Sequence, residues 1–217
     1  MQLLEFKRNV YSQNGEDGIL EELFHRIKVS ASKRKKWCVE FGAWDGKHLS
    51  NTFCLVEQGW NAVYIEADKE KYQDLLKTVE QFPNISPINA LVGYEEGDEN
   101  NLDSLLLTTK LPKDFDLLSI DIDSHDLAVW HCFTGKPKVV VIEINSALRP
   151  GLLQWHNGPR FIGNSFSSTV KVAEDKGYKL VCHTGNLIFV RDDLVNLVGL
   201  KKRELSYPEN LFLEKWV

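Results

Sequence analysis

Two apolar runs, at 116–121 and 139–143, each carry two oxygen-bearing side chains at or just beyond their last residue. These side chains are Asp121, Asp123, Glu143 and Asn145. In an extended chain, side chains two residues apart point to the same side, so both pairs can face one pocket. Carboxylate and amide oxygens suit a hard cation such as Mg²⁺ or Mn²⁺, which would acidify a bound hydroxyl group. The spacing therefore predicts a catalytic centre, with these four residues as metal ligands.

The same cluster also allows chemistry without a metal. Asp121 or His125 would then act as a general base, with the neighbouring acids fixing the tautomer of the histidine. Closely packed carboxylates repel, so one of them holds a proton at neutral pH unless a cation neutralises them. Asp126 is a good helix-capping residue, and we expect it to cap the helix that follows. For His125, catalysis and simple surface exposure both stay open.

A glycine-containing turn follows the first apolar run, at 37–41. The residues of interest are Glu40, near the end of the run, and Gly42, Ala43, Asp45 and Gly46 in the turn. A strand, a glycine turn and a helix form the floor of nucleotide sites in open α/β sheets, because glycine lets the backbone turn sharply and lets a ligand approach. Trp44 stands where a dinucleotide-binding motif has the glycine that admits a pyrophosphate, which weakens the case for a nicotinamide enzyme. A βα turn without a ligand is the alternative.

A second apolar run, at 62–66, ends in a carboxylate. Glu66 lies 24 residues after Gly42, close to the roughly 20 expected for an acid that accepts the ribose hydroxyls of a nucleoside. A carboxylate suits a diol because it accepts two hydrogen bonds at once. A solvated strand end paired with Lys69 or Lys71 is the alternative. Ala90, near the end of a third run, is assigned to the same cofactor site.

The elements that position these residues alternate between strands and helices. Apolar runs predict strands at 37–41, 62–66, 85–92, 116–121, 139–143, 178–183 and 186–190. Helical spacing predicts helices at 16–27, 69–82, 102–107, 126–133 and 167–176, with another between the first two strands. Continuous apolar runs fit parallel strands covered on both faces, and Thr184-Gly185 predicts a closing hairpin. The sequence thus predicts one Rossmann-like α/β domain over 1–217, with a mostly parallel sheet and a C-terminal antiparallel hairpin.

Two segments stand outside this alternation. The first, at 1–35, holds an N-terminal motif and helix, and the motif is more polar than a helix start requires, with Ser12, Gln13, Glu16 and Asp17. These side chains would fold over the cofactor pocket, or they would form only a turn with Asn14 as the helix cap. The second segment, at 146–164, contains Trp155, His156 and Arg160. We predict a lid or acceptor-binding loop there, because connections of this length inside compact domains are usually functional or disordered.

Length, charge and cysteine spacing limit the function classes. A chain of 217 residues is most simply one domain, and a net charge of −5 argues against a general nucleic-acid binder. The four cysteines lack C-x-x-C spacing, so neither a zinc site nor a disulfide framework is predicted. No apolar run approaches the about 18 residues of a membrane span. The first residues lack the apolar region of a signal peptide, so a cytoplasmic location is expected.

Four segments together carry a family resemblance: Tyr-Ser-Gln-Asn-Gly-Glu-Asp-Gly at 11–18, Val-Glu-Phe-Gly-Ala-Trp-Asp-Gly at 39–46, Tyr-Ile-Glu-Ala-Asp at 64–68 and Leu-Leu-Ser-Ile-Asp-Ile-Asp at 117–123. They resemble FkbM-like class I S-adenosylmethionine-dependent methyltransferases, over about residues 10–195. The resemblance implies S-adenosylmethionine as cofactor and O-methyl transfer to a small molecule or a sugar or glycan. It implies cofactor or active-site roles for Gly42, Asp45, Glu66 and Asp121. Ser124-His125 departs from the small or amide residues expected there.

A catalytically inactive binding or scaffold domain of the same fold is the alternative to an enzyme. Such a domain would use the loop at 146–164 for a partner. It has no need for four oxygen-bearing side chains at two neighbouring strand ends. The cluster at Asp121 therefore favours an enzyme.

Overall fold

A seven-stranded mixed sheet forms the centre of the computed structural model, which describes residues 2–95 and 97–214. The strands are β1 (Trp37–Phe41), β2 (Asn61–Glu66), β3 (Ile85–Asn89), β4 (Leu117–Ile120), β5 (Val139–Glu143), β6 (Tyr178–His183) and β7 (Asn186–Arg191). Their order is β3-β2-β1-β4-β5-β7-β6. The first five strands are parallel, and β7 pairs antiparallel with both β5 and β6. The predicted parallel sheet with a terminal hairpin is confirmed, and β3, which contains Pro87, lies at an edge of the sheet.

Helices cover both faces of this sheet. They are α1 (Glu16–Arg26), α2 (Phe53–Glu57), α3 (Lys69–Gln81), α4 (Leu102–Leu107), α5 (Asp126–Cys132), α6 (Phe166–Asp175), α7 (Val195–Val198) and α8 (Lys202–Ser206), with 3₁₀ turns at Leu3–Phe6, Asp192–Leu194 and Pro208–Leu211. Strand side chains alternate between two apolar cores: Cys38 packs with α1, α2 and α3, whereas Val39 and Phe41 pack with α4, α5 and α6. Burial on both faces explains the continuous apolar runs.

Two predicted helix caps are wrong. Gly15, with φ 95°, occupies the N-cap position of α1, and no side chain caps that helix; Asn14 instead donates its N–H to the carboxylate of Glu16 at 2.8 Å. Asp126 is the first residue of α5, and its carboxylate accepts the N–H groups of Ile122 and Ser124 at 2.8 and 2.9 Å. The carboxylates of Glu16 and Asp126 therefore accept N–H groups of the loop that precedes each helix, and neither helix has a side-chain cap.

The parallel strands end along one edge of the sheet. Phe41, the last residue of β1, is in register with Ile65 of β2 and with Ile120 of β4, and Ile120 is in register with Ile142 of β5. The loops that follow these strands therefore converge at this carboxyl edge, which is where open α/β sheets bind ligands.

Candidate functional site

A cavity of about 400 Å³ opens at the carboxyl edge, between the ends of β1, β2 and β4. Its size lies within the range of about 300–1,000 Å³ that is typical of small-molecule sites. Seven of the predicted cofactor-binding residues line it: Gln13, Glu40, Gly42, Ala43, Glu66, Ala90 and Asp121. Residues from five separate chain segments thus meet in one cavity.

The structure places Asp45 and Gly46 outside the lining of this cavity. The carboxylate of Asp45 accepts the N–H groups of Lys47 and His48 at 2.8 and 2.7 Å, which holds the turn after β1. Gly46 is buried with φ 81°, and an added Cβ would meet Leu75 at 2.9 Å. Both residues shape the glycine turn after β1 without lining the cavity.

Position 42 has no room for a side chain, because the backbone at the end of β4 lies against it. Its φ is 76°, and a Cβ at this position would lie 1.9 Å from the carbonyl oxygen of Asp121. The N–H groups of Gly42 and Ala43 both donate to the carbonyl of Ile65, at 3.1 and 3.2 Å. The glycine therefore lets the end of β1 pack directly against the end of β4, which brings Asp121 to the cavity.

Glu40 organises the loop that leads into α2. Its buried carboxylate accepts the hydroxyls of Ser50 and Thr52, at 2.5 and 2.6 Å, and the N–H of Asn51 at 3.0 Å. Thr52 donates to Glu40, so the hydroxyl of Tyr64 donates to Thr52 at 2.8 Å. Burial raises the pKa of Glu40, and the hydrogen bonds from Ser50, Thr52 and Asn51 oppose that rise.

Glu66 is buried, and its carboxylate joins the turn after β1 to the turn after β2. Its Oε2 accepts the N–H of Trp44 and its Oε1 accepts the N–H of Asp68, each at 2.8 Å. Each carboxylate oxygen has a second lone pair, so the group can still accept hydrogen bonds from a ligand. The alternative of a solvated strand end fails, because only 6% of Glu66 is exposed.

Trp44 was not assigned to the site by the sequence. It lines the cavity with φ 49°, and 42% of the residue is exposed. The ammonium of Lys71 lies 4.1 Å from the centre of its ring, within cation–π distance. The left-handed backbone at position 44 turns this ring toward the cavity mouth, where it offers a flat apolar surface.

The N-terminal motif forms a closed turn, and only Gln13 among its four predicted polar residues lines the cavity. One oxygen of Asp17 accepts the N–H groups of Val10, Tyr11 and Ser12, each at 2.8 Å, and this closes the turn. Glu16 is fully buried and accepts from Thr184 and Asn186 of the β6–β7 hairpin. Within this rigid turn, Gln13 is exposed and lines the cavity.

Three of the four predicted metal ligands meet at the ends of β4 and β5. Carboxylate oxygens of Asp121, Asp123 and Glu143 lie within 4.8 Å of one another. Asp123 has φ 56°, so the chain does not stay extended after Asp121, yet the carboxylates still converge. Asn145 does not belong to this group: its side chain donates to Ile162 at 2.9 Å and accepts from Ala147 at 3.1 Å.

The crowded carboxylates favour a shared proton. Burial, followed by the negative charges of Asp126 and Asp123, raises the pKa of Asp121 to about 7. Burial and the charge of Asp121 raise the pKa of Glu143 to about 8. Near neutral pH the pair therefore retains a proton, and Asp121 is placed to exchange one with a group in the cavity.

His125 lies between two aromatic rings, outside the lining of the main cavity. Its ring stacks on Tyr94 with centroids 4.0 Å apart and planes 6° apart, and it meets the edge of His156 at 4.7 Å. Burial and the neighbouring His156 lower the pKa of His125. This environment favours a packing role, in which His125 joins the start of α5 to the loop at 146–164.

That loop borders a second, smaller cavity of about 140 Å³, which shares Asp123 and Glu143 with the first. Asn164 reaches from the loop to the carbonyl of Ser124 at 3.3 Å. The loop begins at buried Ser146, whose hydroxyl contacts Nε2 of His183 at 3.2 Å. The carboxylates thus separate two spaces, one at the glycine turn and one under the loop.

Solved structures with similar folds include a methyltransferase and a domain solved with S-adenosylhomocysteine. The CurJ carbon methyltransferase matches with a TM-score of 0.54 and 10% identity, covering 84% of this chain and 56% of that one. The CMeT domain of the citrinin polyketide synthase matches with a TM-score of 0.52 and 11% identity, covering 84% and 55%. The N-terminal domain of EvdMO1, solved in the presence of S-adenosylhomocysteine (SAH) and D-fucose, matches with a TM-score of 0.50 and 13% identity. The match covers 87% of this chain and 91% of that one.

These likenesses, together with the strand order, establish a Rossmann-like class I methyltransferase fold. The chain spans little more than half the length of the first two structures. No protein-family model and no curated protein matches the sequence. Within the described residues, none of the helices has both the length and the apolarity needed to cross a bilayer.

Proposed function

We propose that this chain is an S-adenosylmethionine-dependent O-methyltransferase of the FkbM-like type, acting on a hydroxyl of a small molecule or of a sugar or glycan. The observation that carries the proposal is the pairing of a nucleoside-sized cavity with a carboxylate pair of raised pKa on its wall. The resemblance of the four sequence segments supports the FkbM-like assignment. Fold alone does not imply chemistry, so the argument rests on the site.

The cofactor would occupy the main cavity. Glu66 would accept its ribose hydroxyls, and Gly42 and Ala43 would leave room beside the strand end. Gln13 and Trp44 would close the cavity from the N-terminal motif and from the glycine turn. The cofactor supplies an electrophilic methyl group on a cationic sulfur, which suits a cavity walled by carboxylates.

Asp121 would act as the general base. A carboxylate with a pKa near neutrality accepts a proton effectively at the operating pH, because its protonation state and its basicity are both favourable. Glu143 and Asp123 would orient the acceptor hydroxyl by hydrogen bonding. The protein's further contribution is alignment of the hydroxyl with the methyl group, since positioning supplies much of the rate of such transfers.

A divalent cation is the competing account of the same carboxylates. Asp121, Asp123 and Glu143 offer three oxygen ligands, which would suit Mg²⁺ or Mn²⁺. EDTA separates the two accounts: full transfer in its presence leaves the general-base account, whereas loss that Mg²⁺ or Mn²⁺ restores favours the metal.

The direct test is calorimetry with S-adenosylmethionine, SAH and NAD, followed by transfer of a labelled methyl group to a panel of hydroxylated acceptors. We expect the first two ligands to bind and NAD not to bind. Asp121→Asn should retain affinity for SAH and lose most turnover. Tight binding of NAD alone would refute the proposal, and full turnover of Asp121→Asn would refute the role of that residue.

The loop at 146–164 is proposed to be the acceptor-binding loop or lid. It carries Trp155, His156 and Arg160 and borders the second cavity. Shortening its tip at 157–160 should spare SAH affinity and abolish transfer. An equal collapse of SAH affinity would make the loop a structural element instead.

A further inference from the structure

Five apolar side chains of the 146–164 loop are exposed, and backbone hydrogen bonds join the two sides of this loop. The N–H of Asn157 donates to the carbonyl of Phe161, and the N–H of Ser165 donates to the carbonyl of Gln154, each at 2.9 Å. These bonds hold 154–157 beside 161–165. The exposed apolar residues of this loop, called the apolar patch below, are Leu152, Leu153, Trp155, Phe161 and Ile162.

The apolar patch is more exposed than packing within one domain requires. Leu153 is 73% exposed and Ile162 is 64% exposed. Single exposed apolar side chains are common, but a contiguous group of them marks a binding surface. No Asp or Glu lies between positions 146 and 164, so no carboxylate interrupts the patch.

Ile162 connects the apolar patch to the carboxylates. It lines the second cavity together with Asp123, Glu143 and Asn164. Its carbonyl is held by the side-chain amides of Asn145 and Gln154, at 2.9 and 3.1 Å. A polar pocket and an apolar surface therefore adjoin at one residue whose backbone is fixed.

We propose that the methyl acceptor is an amphiphile, in which a hydroxyl-bearing head is joined to an apolar chain or ring. The head enters the second cavity and presents its hydroxyl to Asp123 and Glu143, while the apolar group covers the patch. This inference rests on the proposed methyl transfer and adds the class of substrate. A purely polar acceptor would leave the patch in water.

The loop that follows β3 carries Glu95, Asp98 and Glu99, and the loop of the patch carries Arg149 and Arg160, so charge does not select an anionic bilayer. The occupant is identified instead at Ile162, where the apolar patch adjoins the carboxylates of the second cavity.

The test compares n-octyl β-D-glucoside with methyl β-D-glucoside, which share a head and differ in the chain. Both are titrated into SAH-loaded protein below the micelle concentration, with calorimetric detection. We expect the octyl compound to bind at least about tenfold more tightly, because burial of even two methylenes contributes about that factor. Leu153→Asn and Ile162→Asn should remove most of this preference. Leu107→Asn is the matched control, since Leu107 is 83% exposed at the end of α4, outside the patch.

Asp123→Asn adds a second criterion, because it alters the contact with the head and leaves the patch intact. It should weaken both glucosides. Equal affinity for the two glucosides, an equal loss in Leu107→Asn, or unchanged octyl glucoside binding in Asp123→Asn would each overturn the inference. Binding to phosphatidylcholine vesicles without binding to monomeric octyl glucoside would assign the patch to a membrane instead. SAH affinity is measured in the same samples: its absence contradicts the proposed function, whereas its presence without a chain preference contradicts only the amphiphile.

Discussion

Replacement of Glu66 by glutamine separates the structural role of this residue from its proposed ligand role. The native carboxylate accepts two backbone N–H groups, from Trp44 and Asp68, each at 2.8 Å. Glutamine has one carbonyl oxygen, so one of these N–H groups must face an amide nitrogen. Loss of a hydrogen bond to a charged group costs about 1.5–3 kcal/mol, and we expect the free energy of unfolding to fall by that amount.

Glu66→Gln also removes one acceptor for the ribose diol. A loss of about 1–3 kcal/mol in binding corresponds to a dissociation constant for SAH that rises about 5- to 150-fold. Calorimetric titration at a temperature where the variant is fully folded measures this change, and urea unfolding measures the stability.

Asp68→Ala is the matched control. The side chain of Asp68 accepts the N–H groups of Glu70 and Lys71 at the start of α3, and Asp68 lies outside the cavity lining. This variant should lower stability and leave SAH affinity unchanged. Native affinity in Glu66→Gln would refute the ribose role. Equal affinity losses in the two variants would show that the loop, and not the carboxylate, determines binding.

Three further predictions concern the packed strand ends. Transfer should increase with pH through an apparent pKa near 7, because Asp121 accepts a proton only when it is ionised. Asp123→Asn should move this limb to lower pH in a pH–rate profile, since the negative charge of Asp123, which raises the pKa of Asp121, is lost. The carboxyls of Asp121 and Glu143 both have folded-state pKa values above their unfolded values of about 4, so their stabilising contribution is lost as pH rises from about 4 to about 7–8. Glu143→Gln should therefore gain stability relative to the native chain as pH rises over that range in urea unfolding. Gly42→Ala should cost about 1–3 kcal/mol more than Gly59→Ala in the same assay, because Gly59 has the same left-handed backbone with nothing within 4 Å of an added Cβ. Equal costs would refute the close contact with Asp121.

The strands were predictable because burial on both faces leaves uninterrupted apolar runs. The bounds predicted for β1 and β5 match the structure, and β2 differs by one residue. The closing hairpin was also marked by Thr184-Gly185. These are local signals, since strand ends and turns depend on residues adjacent in the chain.

The helix caps and the role of Asp45 were not predictable in this way. Asn14 is a residue type that often caps helices, but Gly15 occupies the N-cap position in the left-handed conformation. The N–H of Asn14 instead donates to the carboxylate of Glu16. The sequence places Asp45 in the cofactor loop without indicating that its carboxylate accepts N–H groups of the same turn. Capping and Asx-type bonds compete for the same donors, and backbone conformation decides between them.

The acidic cluster shows a different reason why prediction from the sequence was incomplete. A spacing of two residues predicts that Asp121 and Asp123 lie on one side, yet the left-handed backbone of Asp123 breaks the extended chain there. The two carboxylates still lie within 4.8 Å of each other and of the carboxylate of Glu143. Gly42 allows the backbone at Asp121 to lie against the end of β1, because a Cβ at this position would be 1.9 Å from the carbonyl oxygen of Asp121. The position of the Asp121 backbone therefore depends on a glycine that follows another strand. A substitution at Gly42 should disturb Asp121 as strongly as it disturbs the cofactor loop, although the two residues are far apart in the sequence.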